Sequence, residues 1–323
     1  MKGLNPKKRD AREVPDRGPQ GNASLARGRA AFYRQGMTPA STDVLILTPA
    51  PDEPRFARTW SPIFERLAAP LRARGLTVEA ANWVDAEKPA ARVVLPLLTW
   101  GYHLRTEGWF ARLDALEASG VRLVNPAAVL RWNTTKTYLA DLASKGAPVV
   151  PTHAVDQLTM TALDHARDVF GVDVLVTKPQ ISGGSQDTVK LRHADGLAGC
   201  TTGPALIQPF LPAVGEEGEL SLFYFDGAFS HAVAKVAVAG DFRVQPQFGG
   251  QVSGVAPEPE ALRAAEMVLK AAGAPLTYAR VDLIRGLDGT PQLMELEVIE
   301  PDLFLEHAHD DGAAFAAAVE RAL

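Results

Sequence analysis

Short apolar runs alternate with longer amphipathic stretches between residues 43 and 125. The runs have the length and the Val, Leu and Ile content of strands, and the stretches have the apolar spacing and closing glycine of helices. The runs are at 43–48, 76–83 and 92–98, and the helix-like stretches are at 64–75 and 109–120. Because strands that alternate with helices form parallel sheets, we predict an α/β domain over residues 41–125, with about three or four strands.

The rest of the chain has a different pattern. Two helical segments come first, at 127–146 and 159–171, and each ends at a glycine. Strand-like runs follow, and their short links favour antiparallel pairing. The runs are at 172–179, 186–193, 205–210, 219–238, 277–286 and 290–300, with helices near 257–272 and 311–322. We therefore predict an α+β architecture for residues 126–323.

Charge is distributed unevenly along the 323 residues. Residues 1–36 carry nine Lys and Arg against three Asp and Glu, so this segment is +6 and the remainder is −11 of a total of −5. A body this acidic lacks the basic face of a nucleic-acid-binding protein, and we predict no nucleic acid partner. No window has the roughly 18 consecutive apolar residues of a membrane span, and the start has no apolar signal segment, so we predict no membrane partner and a cytoplasmic location.

Residues 1–40 are rich in Gly, Pro, Arg and Ala and have no apolar period, so we predict that they are disordered. An upstream start codon, with Met37 as the true beginning, would explain them. An Arg-rich targeting peptide is the alternative, against which their acidic residues argue. The single cysteine, Cys200, lacks a disulfide partner and the spacing of a metal site, and we interpret it as structural.

The stretch between Arg285 and Arg321 contains no Lys or Arg, yet it contains nine carboxylates. They are Asp288, Glu295, Glu297, Glu300, Asp302, Glu306, Asp310, Asp311 and Glu320. The dipeptide Asp288-Gly289 is typical of a two-residue hairpin turn, which would pair Leu287 with Thr290. The same register would place Asp282 opposite Glu295 and Arg280 opposite Glu297.

This hairpin is predicted to have one ionic and one apolar face, because side chains alternate along a strand. Val281, Leu283, Leu296 and Val298 would form the apolar face. Carboxylates opposed at roughly 5 Å are destabilising without a counter-charge, and a divalent cation is the simplest candidate. Oxygen ligands without His or Cys favour Mg²⁺, so we predict that Asp282, Glu295 and Glu297 bind Mg²⁺, with Mn²⁺ as an alternative. A solvated acidic face with Arg280 as its local partner is the competing interpretation.

A second signal is a glycine loop that follows a lysine. A strand-like run ends in Lys178, and the flexible loop Ser182-Gly183-Gly184-Ser185 leads into the next run. Glycines allow backbone N–H groups to approach a phosphate, and a lysine adds charge, although a plain turn has the same composition. No Walker loop, GxGxxG or GxSxG motif is present.

Two further basic residues lie in the strand-rich half. Arg243 shortly precedes Gly249-Gly250, and Lys235 stands among apolar neighbours, where it either contacts phosphate or extends from a strand edge to solvent. The pair His307 and His309 lacks a third ligand at a usual spacing, which argues against a zinc centre.

Taken in order, these elements resemble the nucleotide and metal elements of the ATP-grasp superfamily. The resemblance spans about residues 125–310 and is carried by NTTKTYL, TKPQISGGS, IQPF, GEEGELSL, FRVQPQFGG, YARVD and LMELEVIEP. Within the superfamily the chain is similar to the glutathione-synthetase-like and ribosomal-protein-S6-glutamate-ligase-like branch, and more narrowly to the cycloserine-biosynthesis cyclo-ligases. The resemblance implies an ATP-grasp fold, in which an α/β domain precedes two α+β lobes, here about residues 126–210 and 211–323.

The resemblance also implies a role for each element. Lys136 and Lys178 would reach the ATP phosphates, the backbone of Gln208, Pro209 and Phe210 would hold adenine, and Glu219 would bind the ribose hydroxyls. Arg243 and Arg280 would stabilise the charge that moves during phosphoryl transfer, and Asp282, Glu295 and Glu297 would hold magnesium. The chain departs from the common Glu-x-Asn pattern of the last metal strand, because it has Glu297 where most members have Asn.

The implied activity is ATP-dependent ligation of a small carboxylate to an amine through an acyl phosphate, either between two molecules or within one amino-acid derivative. A non-catalytic ATP-binding regulator and a phosphotransferase are the alternatives, and a homodimer is an open option. The acceptor candidates are Trp60, Trp100, Tyr102, His103, Asn125 and Trp132, each of which would equally suit a core.

Overall fold

The computed structural model describes residues 42–56, 59–85, 90–238, 243–244 and 249–323. Residues 41–323 form one compact unit. The segment 1–40, predicted to be disordered, lies outside the described residues. No helix of the described ranges is long and apolar enough to cross a membrane.

A four-stranded parallel sheet forms the N-terminal layer, as the alternating pattern predicts. Its strand order is β2-β1-β3-β4. The strands are β1 Thr42–Thr48, β2 Val78–Asn82, β3 Ala91–Leu95 and β4 Arg122–Leu123, and the helices between them are α1 Trp60–Ala73 and α2 Thr106–Ser119. Tyr102–Leu104, a short 3₁₀ helix, follows β3 and lies at the carboxyl edge of the sheet, where parallel sheets place their binding loops.

A smaller antiparallel sheet has the strand order β5-β8-β6-β7. Its strands are β5 His153–Val155, β6 Leu175–Pro179, β7 Val189–Leu191 and β8 Ala205–Pro209. Helix α5 (Met160–Phe170) covers it, and the Thr159 hydroxyl caps this helix by accepting a hydrogen bond from Ala162 N. The predicted glycine stop at Gly171 is confirmed.

The larger sheet is antiparallel, with the order β11-β10-β9-β12-β13. Its strands are β9 Glu219–Phe225, β10 Ala228–Val236, β11 Gln251–Val255, β12 Tyr278–Arg285 and β13 Pro291–Glu297. The helices α6 Ala213–Glu216, α7 Pro259–Ala272 and α8 Ala313–Arg321 accompany it. Strands β5 and β11 are missing from the sequence prediction, because β5 has only three residues and β11 contains a glycine.

The N-terminal layer and the larger sheet share a hydrophobic core. Val44 and Val93 of the parallel sheet pack in one cluster with Phe223, Tyr278 and Phe315 of the other half. Asn125 reinforces this junction, because its side-chain Nδ2 donates to the carbonyl oxygens of Tyr278 and Val298. Each predicted segment contains one of the three sheets, while the domain boundary at residue 125 stays a prediction.

The predicted single helix at 127–146 is two helices, α3 Ala127–Thr134 and α4 Tyr138–Ser144. The break falls at Thr135, whose backbone is extended (φ −105°, ψ 119°). Consecutive β-branched threonines favour such a break, because their side chains are restricted in a helix. Lys136 N then donates to Gln180 O of the smaller sheet, 2.8 Å away, and not to a helical carbonyl.

The β12–β13 hairpin keeps the predicted register where its charges lie, but its turn differs. Arg280 pairs with Glu297 and Asp282 with Glu295, as predicted. Leu287 does not pair with Thr290, because Gly286 N donates to Thr290 O and the loop has three residues. A bulge after Asp282 restores the predicted register. The Asp288 carboxylate stabilises the longer loop, since it accepts hydrogen bonds from the backbone and hydroxyl of Thr290.

Candidate active site

A cavity of about 820 Å³ lies where the three sheets meet. It is lined by every residue that the sequence predicted for nucleotide binding, metal binding or charge stabilisation. These residues are Lys136, Lys178, Ser182, Gly183, Gly184, Ser185, Gln208, Pro209, Phe210, Glu219, Lys235, Arg243, Arg280, Asp282, Glu295 and Glu297. The fold therefore brings together residues that are up to about 160 positions apart, although the role of each residue stays a prediction.

Arg280 and Asp282 form the centre of the charge network in this cavity. Arg280 Nε and Nη2 donate to the two Asp282 carboxylate oxygens at 3.0 and 2.9 Å, and Arg280 also binds Glu297. Ser221 Oγ donates to Asp282 Oδ1 at 2.5 Å. Burial opposes ionisation of Asp282, yet the charges of Arg280 and Lys235 hold its pKa at about 2.

Two lysines neutralise the remaining carboxylates at the hairpin. Lys136, which the break between α3 and α4 turns into the cavity, forms an ion pair with Glu295. Lys235 forms an ion pair with Glu219 and lies 3.5 Å from Asp282. Burial would lower the pKa of each lysine, but the neighbouring carboxylates outweigh it and raise the pKa, so both ammonium groups stay charged at neutral pH.

These pairs add a feature that the sequence interpretation did not contain. Arg280, Lys136 and Lys235 supply positive charge beside the opposed carboxylates, and the metal site stays a prediction. Within the described ranges, no group of three or more Asp, Glu, His and Cys side chains is arranged to hold a metal ion. Among the described residues, Arg280 is the one cation that pairs with Glu297, and Arg280 is shared with Asp282; burial raises the pKa of Glu297 to about 7.

Lys178 differs from the other cavity lysines. It extends from β6 and is buried, but among the described residues it forms no ion pair. Burial lowers its pKa to about 8, and the charge of Glu295 only partly offsets this. A buried ammonium without its own carboxylate is poised to accept an anionic ligand.

The glycine loop after β6 contacts the N-terminal layer. Gly184 and Ser185 have positive φ angles of 59° and 58°, which turn the chain sharply towards β7. A β-carbon at Gly183 would lie 2.9 Å from His103 Nδ1, so only glycine allows this approach. His103 Nε2 lies 3.3 Å from Gln186 Oε1, which also accepts from Arg55 Nη1 at 3.4 Å. The loop is therefore held against two side chains of the parallel layer.

The predicted adenine segment lies at the end of β8, between the smaller sheet and α6. Phe210 N donates to Val174 O at 2.9 Å, and Pro209 has no N–H. A backbone contact from either residue to a base would therefore use a carbonyl oxygen. Lys190 Nζ lies 3.4 Å from the centre of the Phe210 ring.

Three of the six acceptor candidates line the cavity, namely Trp100, Tyr102 and His103. Trp60, Asn125 and Trp132 do not. Trp60 packs on Phe64, the Asn125 amide joins two sheets, and Trp132 Nε1 donates to Asp141. These three residues are structural, so this part of the sequence interpretation is wrong.

Several cavity residues escaped the sequence interpretation, chiefly Arg55, Gln186 and Glu300. Glu300 was visible as one of the nine carboxylates, but nothing in the spacing separates it from its surface neighbours. Its Oε2 atom is buried and has no hydrogen-bond partner among the described residues. Burial raises its pKa well above the usual range, and the charge of Glu297 adds to this.

The arrangement of three sheets around this cavity is that of the ATP-grasp fold. A solved D-alanine–D-alanine ligase from Bacillus anthracis, complexed with ATP, matches with a TM-score of 0.63 over 87% of this chain and 97% of that chain, at 15% identity. The crystal structure of the D-cycloserine synthetase DcsG matches with a TM-score of 0.73 over 87% of this chain and 99% of that chain, at 27% identity.

Comparison with known sequences shows to which family of ATP-grasp proteins the chain belongs. The family model of the D-cycloserine synthetase DcsG N-terminal domain matches residues 44–125. The cycloserine biosynthesis protein DcsG of Streptomyces lavendulae is 31% identical over 274 residues, which cover 78% of this chain and 91% of that protein. The chain therefore belongs to the DcsG family of ATP-grasp ligases, enzymes that join a carboxylate to an amine at the expense of ATP.

Proposed function

We propose that this ligase closes a ring within one amino-acid derivative, with Mg-ATP as the driving substrate. D-cycloserine, the product named for the matched synthetase, contains a carbonyl carbon bonded to a nitrogen that the side-chain oxygen of a serine skeleton carries. Formation of that carbon–nitrogen bond from the open acid is a carboxylate–amine ligation within one molecule. The substrate class is therefore an O-substituted serine with a nucleophilic nitrogen, such as β-aminooxy-D-alanine.

One observation carries this proposal: buried cations and carboxylates from two sheets converge on a cavity whose remaining wall is built by the N-terminal layer. Lys136 and Lys178 supply positive charge beside the glycine loop, where we place the phosphates. The segment 208–210 is proposed to hold adenine, and Glu219 the ribose. Since Glu219 is paired with Lys235 in this structure, nucleotide binding would redistribute that pair.

The donor chemistry fits magnesium. Asp282, Glu295 and Glu297 offer oxygen ligands at one wall, and Mg²⁺ commonly combines a few carboxylates with phosphate oxygens. Glu297, with its raised pKa, is short of positive charge, which a cation would supply. When bound, magnesium neutralises charge that develops on the transferring phosphoryl group.

The chain's own residues supply positioning and charge. Transfer of the γ-phosphoryl group to the substrate carboxylate breaks one P–O bond and forms another, and the nitrogen then attacks the acyl carbon while phosphate leaves. Arg280, which Asp282 holds in a fixed orientation, is proposed to stabilise the equatorial oxygens, and Arg243 to assist it. Trp100 and Tyr102, which line the cavity on the side of the N-terminal layer, are proposed to contact the acceptor.

The test is product analysis. Purified protein is incubated with ATP, Mg²⁺ and β-aminooxy-D-alanine, and we expect D-cycloserine, ADP and phosphate in equal amounts by mass spectrometry. Separate incubations with D-alanine and hydroxylamine test carboxylate activation, because hydroxylamine converts an acyl phosphate into a hydroxamate. Formation of a linear dipeptide would show that the enzyme joins two molecules and does not close a ring. A stable phosphorylated product, or ATP binding without turnover, would contradict the proposal.

A further inference from the structure

Glu300 and Asp302 are the cavity carboxyl groups that form no ion pair among the described residues, but Asp302 accepts a hydrogen bond from Phe304 N. Lys136 is engaged by Glu295, and Arg280 is engaged by Asp282 and Glu297. The buried Oε2 atom of Glu300 has no hydrogen-bond partner among the described residues. Buried polar atoms are nearly always satisfied, so an unsatisfied one beside a ligand cavity indicates a missing partner.

The backbone next to Glu300 is held in place by a buried tyrosine and by a proline. The hydroxyl group of buried Tyr278 donates to the carbonyl oxygens of Ile299 at 2.9 Å and Val124 at 3.1 Å. The following residue is Pro301, which restricts the backbone further. A ligand group that meets Glu300 would therefore be positioned and not merely attracted.

The charges around Glu300 determine which kind of ligand group it can bind. Tyr102 is close enough that the charge of Glu300 adds to the effect of burial in raising the pKa of the Tyr102 phenol. Glu297 and Glu295 add negative potential, while Lys136 and Arg280 partly offset it. An anion or a second carboxylate would be repelled here, whereas a cation with N–H donors would satisfy the carboxyl group.

We propose that Glu300 binds the α-ammonium group of the substrate and thereby selects α-amino acids over carboxylates that lack the amino group. This inference rests on the proposed function. In β-aminooxy-D-alanine the α-amino group is protonated at neutral pH, while the aminooxy nitrogen is far less basic and stays a nucleophile. Glu300 therefore acts in specificity and positioning, since it pairs with the nitrogen that does not react.

The proposal predicts a large discrimination in the wild-type protein. A site built around a buried polar group rejects an analogue that leaves this group unpaired. The matched substrates are β-aminooxy-D-alanine and 3-aminooxypropanoate, which differ only in the α-amino group. We expect kcat/KM to be at least about 100-fold higher for the first, with ring closure measured by mass spectrometry and ADP release.

Glu300→Gln should reduce that ratio to about fivefold or less, mainly through loss of activity with the amino substrate. The KM for ATP and the magnesium concentration at half-maximal rate should change less than about twofold. The melting temperature should not fall, because the substitution removes an unpaired buried acid. Glu306→Gln is the control, since Glu306 lies in the same segment but pairs with Arg66 on the surface.

Each outcome has a distinct meaning. An unchanged ratio in Glu300→Gln would overturn the inference and leave the proposed function intact. A shifted magnesium requirement with intact discrimination would make Glu300 a metal ligand and would also overturn it. If the wild type closes neither substrate and forms no hydroxamate from D-alanine or propanoate, the proposed function fails and the inference fails with it.

Discussion

The two faces of the β12–β13 hairpin are both buried, yet they are built on opposite principles. One face packs Val281, Leu283 and Leu296 into a hydrophobic core with α7. The other face presents Arg280, Asp282, Glu295 and Glu297 to the cavity, where positive and negative side chains form ion pairs. Burial of apolar area stabilises a fold directly, whereas a buried ion pair contributes little net free energy, because desolvation offsets the attraction. The cavity face is therefore arranged for chemistry, and the core face for stability.

The largest expected effect is a loss of turnover on substitution of Asp282, which lies on the cavity face. We expect Asp282→Asn to reduce turnover by at least about 1000-fold, because Arg280 loses its bidentate partner and the proposed metal ligand loses its charge. ADP release at saturating ATP measures it. Asp288→Asn, in the exposed loop of the same hairpin, should retain near-normal turnover. Turnover within tenfold of wild type in Asp282→Asn would mean that the cavity face is not the catalytic wall.

The same substitution also tests stability, for which the structure reverses the expectation drawn from the sequence. From the sequence alone, removal of one opposed carboxylate should relieve repulsion and stabilise the ligand-free protein. Because Asp282 pairs with Arg280 and Lys235, its loss instead leaves buried cations uncompensated. We now expect Asp282→Asn to lower the free energy of unfolding in the absence of metal, measured by chemical denaturation.

On the core face, we expect a substitution to lower stability and to leave turnover nearly unchanged. Leu283→Ala should lower the free energy of unfolding by about 3 kcal/mol, because Leu283 is only 1% exposed and its truncation leaves a cavity in the core. Turnover well below the melting temperature should stay within about threefold, since Leu283 does not line the active-site cavity. Leu287→Ala, which changes a residue that is 57% exposed, is the matched control and should cost less than about 0.5 kcal/mol.

Lys178 sharpens the comparison, because it is a buried cavity cation that forms no ion pair with any residue that the structure describes. Its lowered pKa of about 8 means that the ligand-free protein loses this positive charge as pH rises through about 8. The Kd for ATP should therefore increase about fivefold between pH 8 and pH 9. Lys178→Arg should flatten this dependence, since an arginine stays charged. An equally steep pH dependence in Lys178→Arg would assign the titration to another group.

Among the cavity variants, the smallest expected loss of turnover is that of the asparagine replacement at Glu297. Glu297→Asn introduces the residue that most ATP-grasp proteins have there, so turnover should stay within about tenfold while the magnesium optimum shifts. Glu297→Leu removes the oxygen ligand and is the contrasting variant, with a much larger loss. Magnesium titrations of turnover decide between them. Identical magnesium dependence in both variants would exclude Glu297 as a ligand.

Much of the site was predictable because its residues lie in regular patterns. The register that places Asp282 opposite Glu295 follows from strand periodicity and an approximate turn position, and it survived an error of one residue because the bulge compensates the longer loop. The strand, glycine loop and strand around Lys178 follow equally from local composition. The location in the cytoplasm and a homodimer stay predictions.

What could not be predicted depends on contacts between distant segments. The threonines before Lys136 favour a break in the helix, but nothing in the sequence indicates that the Lys136 N–H bonds to Gln180. The ion pair of Glu295 with Lys136 joins residues that are 159 positions apart, so local sequence patterns do not predict it. Glu300 and Glu306 look alike in the sequence, and only the fold buries one and exposes the other.

The hydrogen bonds of Asn125 have a mechanical consequence. They join β12 and the chain after β13 to the parallel layer, so side-chain hydrogen bonds as well as a shared hydrophobic core hold these two sheets together. The smaller sheet contacts the parallel layer through the loop that follows β6, where Gln186 Oε1 lies 3.3 Å from His103 Nε2.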